Sequence, residues 1–165
     1  MTPAVELKKL LLREPRLTLA VAESLTCGQV QTLVGAVPGA SEFFLGGITA
    51  YTLEQKVRHL GVNRAHARAV DCFSQRVAVE MAEGACELFG ADLAVATTGY
   101  AQPNVATGIK VPMAWWALCH RRRGGRTQMI SELVTVPGAR RVAVQERVAA
   151  VVLRQLVAYL REFRA

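Results

Sequence analysis

The sequence predicts an α/β fold. It should form a single-domain three-layer sandwich, a mixed, mainly parallel sheet with helices on both faces. Three observations carry this. Apolar runs at residues 17–22 and 91–97 show little polar alternation, as expected of strands covered on both sides. Segments with helical apolar spacing flank and separate them, so the order reads helix, strand, helix, strand, helix, helix, strand, hairpin, helix, with crossovers right-handed by default. The chain has 165 residues, 52% apolar and 20% charged, which suits one domain over residues 1–165 and excludes disorder.

Residues 1–15 include Glu6 and Glu14 and have no small-residue cleavage site after an apolar run, so they read as an amphipathic helix and not as an export signal. Thr2 caps it, Pro3 occupies its first turn, and Val5, Leu7, Leu10, Leu11 and Leu12 supply its apolar side. The strand at 17–22 runs into Glu23-Ser24-Leu25-Thr26, and a helix is expected over 26–36, stopped by Val37-Pro38-Gly39. A second apolar segment, 46–51, ends on Tyr51, and a short helix over 53–60 ends at Gly61. Ser74 starts a longer helix through Phe89, with Val77, Met81, Ala85 and Leu88 near helical spacing and Gly90 beyond it. After the strand at 91–97 and a loop over 98–110, runs at 113–120 and 128–136 flank Gly124-Gly125, a hairpin signal. Val136-Pro137-Gly138 leads into a last helix over 139–163, on which Val148, Val151, Val152 and Leu156 are core or interface. The repeated VPGA is turn chemistry, not an internal repeat.

A strand that stops on a small hydroxyl residue and restarts as a helix places a reactive side chain at the carboxyl edge of a sheet, beside helix-start amides that suit an oxyanion or phosphate. Ser24 stands at that point, with Tyr51 at the end of the next apolar segment and Lys56 five residues later. Each also has a plain structural reading. Ser24 or Thr26 can be a helix cap worth about 1 kcal/mol, Tyr51 a strand-end aromatic with its hydroxyl in water, and Lys56 a solvated charge.

No stretch approaches the ~20 apolar residues of a membrane helix, and a cytoplasmic protein with no membrane partner is expected. Cys27, Cys72, Cys86 and Cys119 form no close pair in sequence and read as reduced packing residues. Cys27, at a helix start, is an alternative nucleophile, but no histidine lies near it in sequence. His59, His66 and His120 have no metal-ligand spacing, so neither metal nor cofactor is expected. The net charge of +7 is visible mainly in Arg121-Arg122-Arg123 and Arg126, a solvated turn or an anion contact. Without aromatic interleaving, a nucleic-acid partner is not expected.

The segment from Leu17 to Val62 resembles the CinA carboxyl-terminal domain family, which includes nicotinamide mononucleotide amidohydrolases. The likeness rests on Ala22-Glu23-Ser24, Thr26, Gly28, Val37-Pro38-Gly39-Ala40-Ser41, Gly46-Gly47, Tyr51, Lys56 and Leu60-Gly61-Val62, all in order. Met81-Ala82-Glu83-Gly84-Ala85 and Thr98-Gly99-Tyr100-Ala101-Gln102-Pro103 extend it. The resemblance implies deamidation of nicotinamide mononucleotide to nicotinate mononucleotide and ammonia, with Ser24 as nucleophile, Lys56 as base, Tyr51 as proton relay, and backbone amides around 26–28 as oxyanion donors. It further implies substrate contacts from Thr26, Cys27, Gly28, Gly47, Thr98, Gly99 and Arg140, a mononucleotide as small-molecule partner, and a homo-oligomer.

The sequence also departs from the family pattern, and the altered glycine loop and missing arginine support an alternative, an inactive or altered relative that binds a nucleotide or a protein. Gln102 replaces a loop glycine, and the family's GDR-xxxR pattern has Ala139 for its acid and Val144 for its second arginine, leaving Arg141 or Arg147 to substitute. The later KP-x-GT pattern is lost around Lys110, and Asp71-Cys72-Phe73 fits the pattern only with an insertion.

Overall fold

The computed structural model describes residues 1–122 and 124–165; Arg123 of the basic turn lies outside the described residues. Among them the order is α1 (Pro3–Leu12), β1 (Leu19–Glu23), α2 (Gln29–Gly35), β2 (Phe44–Thr49), α3 (Leu53–Leu60), α4 (Arg64–Ala69), α5 (Gln75–Phe89), β3 (Leu93–Tyr100), β4 (Met113–Arg121), β5 (Thr127–Thr135) and α6 (Arg141–Arg164). The strands form one sheet in the order β2-β1-β3-β4-β5. β1 pairs in parallel with β2 and β3, while β4 runs antiparallel to both β3 and β5. Four strands thus share a direction and β4 alone opposes it, the mixed, mainly parallel α/β sandwich expected.

Side-chain size decides which helix covers which face. Successive strand residues point to opposite faces. Leu19, Val21, Leu93, Val95, Trp116 and Leu118 join one core with α1, α2 and α6. Ala20, Ala22, Ala94, Ala96, Ala117 and Cys119 join the other, with α5 and the short helices α3 and α4. The small face lets α5 approach the sheet closely through Ala78, Ala82 and Ala85. Val148, Val152 and Leu156 of α6 belong to the first core, so for these residues the alternative of an exposed interface falls away.

Several boundaries shift for local reasons. The helix expected from Thr26 begins at Gln29, because Cys27 (φ 48°) and Gly28 (φ 94°) occupy the left-handed region. β2 ends at Thr49, so Ala50 and Tyr51 leave the sheet before α3 starts. α4 was not expected from sequence. It has six residues with one buried side chain, Ala67, and is started by Asn63, whose side chain accepts from the His66 amide. Such a short polar helix carries no apolar periodicity to read.

Gly84 fixes how α3 meets α5. A Cβ there would lie 2.7 Å from the Leu60 Cα and collide with the Leu60 carbonyl oxygen, so α5 meets the end of α3 at backbone distance. Gly84→Ala should therefore push α3 outward at a cost of about 2 kcal/mol. Urea unfolding measures that loss, and Lys56, carried by α3, should lose its position with it.

Candidate active site

The site starts at the carboxyl end of β1. Glu23, fully buried, turns its carboxylate onto the start of α2: Oε2 accepts from the amides of Gly28 (3.1 Å) and Val30 (3.0 Å), and Oε1 from that of Gln31 (2.9 Å). A helix start leaves amide donors without intrahelical partners, and here one buried carboxylate takes three of them. The Ser24 carbonyl accepts from the Cys27 amide at 3.0 Å, and the hydroxyls of Thr26 and Thr97 bond at 2.7 Å, tying the turn to β3. The elbow carrying Ser24 is thus held from both sides.

This arrangement changes the expected oxyanion donors. The amides of Cys27 and Gly28 are already engaged, while those of Leu25 and Thr26 meet no acceptor among the described residues, and Leu25 lines the adjoining cavity. The amides left without a partner among the described residues therefore lie closer to the serine, at residues 25 and 26.

Lys56 reaches the serine from α3. Its Nζ lies 2.9 Å from Ser24 Oγ, 2.9 Å from the Ala50 carbonyl and 3.0 Å from the Tyr51 carbonyl, with the side chain 1% exposed. A carbonyl oxygen can only accept, so both carbonyls require N–H donors. In a neutral amine those two hydrogens are then committed, and the remaining lone pair faces Ser24 Oγ. Burial, the largest influence, holds the Lys56 amine below its ordinary 10.5, against a smaller opposing pull from Cys72 and Asp71. Cys72 is itself pushed up, chiefly by burial, against an opposing effect of Lys56.

The segment that fits the family pattern only with an insertion thus lies near Lys56. Asp71 (φ 50°) and Cys72 (φ 57°) are both left-handed. The Cys72 carbonyl accepts from Thr98 Oγ1 at 2.7 Å, and Asp71 Oδ2 accepts from the Tyr100 hydroxyl at 2.7 Å, anchoring this turn to the end of β3.

Ser24 opens into a cavity of about 490 Å³ whose wall includes Tyr51, Gly99, Tyr100, Gln102 and Arg141. It lies beyond the carboxyl ends of β1 and β3, where the chain leaves β1 towards β2 and leaves β3 in the opposite direction, towards β4, the place where open α/β sheets bind ligands. Of the residues expected from sequence, Ser24 and Lys56 meet directly, and Tyr51 and Gly99 line the cavity. Tyr51 presents its carbonyl to Lys56, whereas its half-exposed phenol accepts from Arg141 Nη1 at 3.3 Å and makes no hydrogen bond to Ser24 or Lys56 among the described residues. Thr26 and Thr98 are buried behind the wall as supports, and exposed Cys27 and half-buried Gly28 form the elbow. Gly47 abuts the Gln31 side chain on β2, and Arg140 is the residue before α6; neither lines the cavity.

Glu23 and Thr97 went unrecognised as supports, since nothing in their neighbourhood signals a hydrogen bond to residues five to 73 positions away. The described residues contain no group of three or more potential ligands that could hold a metal ion. Nor is any described helix long and apolar enough to cross a membrane.

Comparison with known proteins places this geometry among relatives. The CinA-like protein of Chlorobium limicola is 45% identical over 100 residues, 61% of this chain and 23% of that protein. A putative competence-damage inducible protein of Desulforudis audaxviator is 38% identical over 133 residues, 80% of this chain and 31% of its own length. The chain thus matches about a quarter to a third of the length of these curated relatives. Among solved structures, a competence or damage-inducible protein of Enterobacter asburiae superposes with TM-score 0.82 at 28% identity, covering 97% of this chain and 99% of that one. A CinA superfamily protein of Klebsiella pneumoniae shares the fold with TM-score 0.87 at 24% identity, covering 97% and 96%. A model of the CinA C-terminal domain matches residues 2–160, nearly the whole sequence, and the chain belongs to that family.

Proposed function

We propose that this domain is a serine amidohydrolase that converts the carboxamide of nicotinamide mononucleotide to the carboxylate of nicotinate mononucleotide. The observation that supports it most is the buried Lys56 amine, 2.9 Å from Ser24 Oγ and pinned by two carbonyls. In the acylation step Ser24 Oγ bonds to the carboxamide carbon while its proton passes to Lys56. The oxyanion develops beside the amides of Leu25 and Thr26. Its collapse breaks the C–N bond, and Lys56 returns the proton to the leaving nitrogen, which departs as ammonia. Water, deprotonated by the same amine, then cleaves the ester and restores the serine. Tyr51 acts here through its carbonyl, which orients the amine, and through its ring on the cavity wall.

Incubation with nicotinamide mononucleotide should release one ammonia per nicotinate mononucleotide, and Ser24→Ala should abolish the release. No ammonia at high enzyme loading would remove the proposal. The rate should rise with pH, because protonation occupies the lone pair that receives the serine proton, and its midpoint should lie below the 10.5 of free lysine. A second reading, nucleotide binding without turnover, is favoured by Gln102 on the cavity wall in place of the family's glycine. Binding of the nucleotide with no ammonia formed would select it.

A further inference from the structure

The cavity wall carries one charged side chain among the described residues, Arg141. Its Nε donates to Gln102 Oε1 at 3.2 Å and its Nη1 to the Tyr51 hydroxyl at 3.3 Å. Both partners are neutral, and Arg141 forms no ion pair among the described residues. Five N–H donors in a rigid plane are thus oriented by two contacts while their charge remains uncompensated. Such a fork fits the oxygens of a phosphate better than a point charge does. Arg141 also opens the 24-residue α6, which has no side-chain cap and no acid in its first turn, so the positive end of that helix adds to the same field.

Gln102 and Val144 are separate departures from the family pattern, and the structure relates both to Arg141. Val144, where the pattern has its second arginine, is fully buried in the core, whereas Arg141, three residues earlier on the same helix, reaches the cavity. The glutamine that replaces the loop glycine is the group that orients it.

We infer that Arg141, positioned by Gln102 and Tyr51, is the specificity-determining residue of this cavity and binds the phosphate monoester of a mononucleotide substrate. The inference rests on the hydrolytic reading for the identity of the substrate, but not for the binding of phosphate. The test compares kcat/KM for nicotinamide mononucleotide with that for nicotinamide riboside, which lacks the phosphate, in the wild type, Arg141→Gln and Arg141→Lys. The preference for the phosphorylated compound should fall about 30-fold in Arg141→Gln, mainly through KM, and less in Arg141→Lys, which keeps charge without the fork. An unchanged preference in both variants, with thermal unfolding showing them folded, overturns the inference.

If the wild type hydrolyses neither compound, the catalytic reading fails and binding decides the inference separately. Calorimetric titration should then show ribose 5-phosphate binding to the wild type and about 30-fold weaker binding to Arg141→Gln. Inorganic phosphate should compete with it. Ribose 5-phosphate binding no better than ribose, or phosphate binding without ribose 5-phosphate, overturns the inference.

Discussion

Lys56→Met protein should release ammonia from nicotinamide mononucleotide about 10²- to 10⁴-fold more slowly than wild type, the scale expected for loss of a positioned base. Lys56 Nζ is the partner of Ser24 Oγ among the described residues, so nothing else in reach can take the hydroxyl proton. The substitution also deprives the Ala50 and Tyr51 carbonyls of a donor, at about 1–3 kcal/mol for each that stays dry, partly offset because a desolvated amine is removed as well. Rates must therefore be referred to the folded fraction from urea unfolding. If serine and lysine act as one unit, Ser24→Ala, Lys56→Met and the double variant should fall to the same floor. A Lys56→Met rate within tenfold of wild type would leave the serine activated by some other group.

Glu23→Gln should be the most damaging conservative substitution in the domain. The carboxylate offers two acceptor oxygens to three amides in a fully buried position, and a carboxamide replaces one of those oxygens with a donor. An N–H group then faces amide N–H groups with no water to intervene, which should cost about 2–4 kcal/mol. Glu23→Ala should cost about 4–6 kcal/mol, a large share of the about 5–15 kcal/mol by which domains are stable. Urea midpoints at neutral pH measure both. Loss of the elbow also displaces Ser24 from Lys56, so the folded fraction of Glu23→Gln should be slower in hydrolysis. A stability loss below about 1 kcal/mol in Glu23→Gln would mean that the turn is held elsewhere.

Sequence carried the element order because the two central strands have no polar alternation, yet their alternation of size lay open in Leu19-Ala20-Val21-Ala22 and Leu93-Ala94-Val95-Ala96. Large residues face α1, α2 and α6, small ones face α5, and that pattern identifies which helix approaches the sheet closely. α4 was illegible because six residues with one buried alanine are held by a cap and tertiary context.

In the site, the identities of Ser24 and Lys56 were readable, but the manner of their meeting was not. The resemblance implied a proton relay through the Tyr51 side chain, whereas the chain leaves β2 early enough for the Tyr51 carbonyl to meet the amine. Glu23 stood within the motif, but hydrogen bonds to the backbone leave no trace in the identities of Gly28, Val30 and Gln31. Arg140 and Arg141 are adjacent identical residues, and only the phase of α6 decides which one reaches the cavity.

The central claim is that the buried lysine amine is the base. Titration of Lys56 by carbon-detected NMR, with the Cε resonance assigned by its loss in Lys56→Met, measures that claim directly. Lys56 should titrate below 10.5, at the same midpoint as the pH dependence of ammonia release. Titration at or above 10.5, with an ammonium that persists through the pH range of full activity, would contradict it.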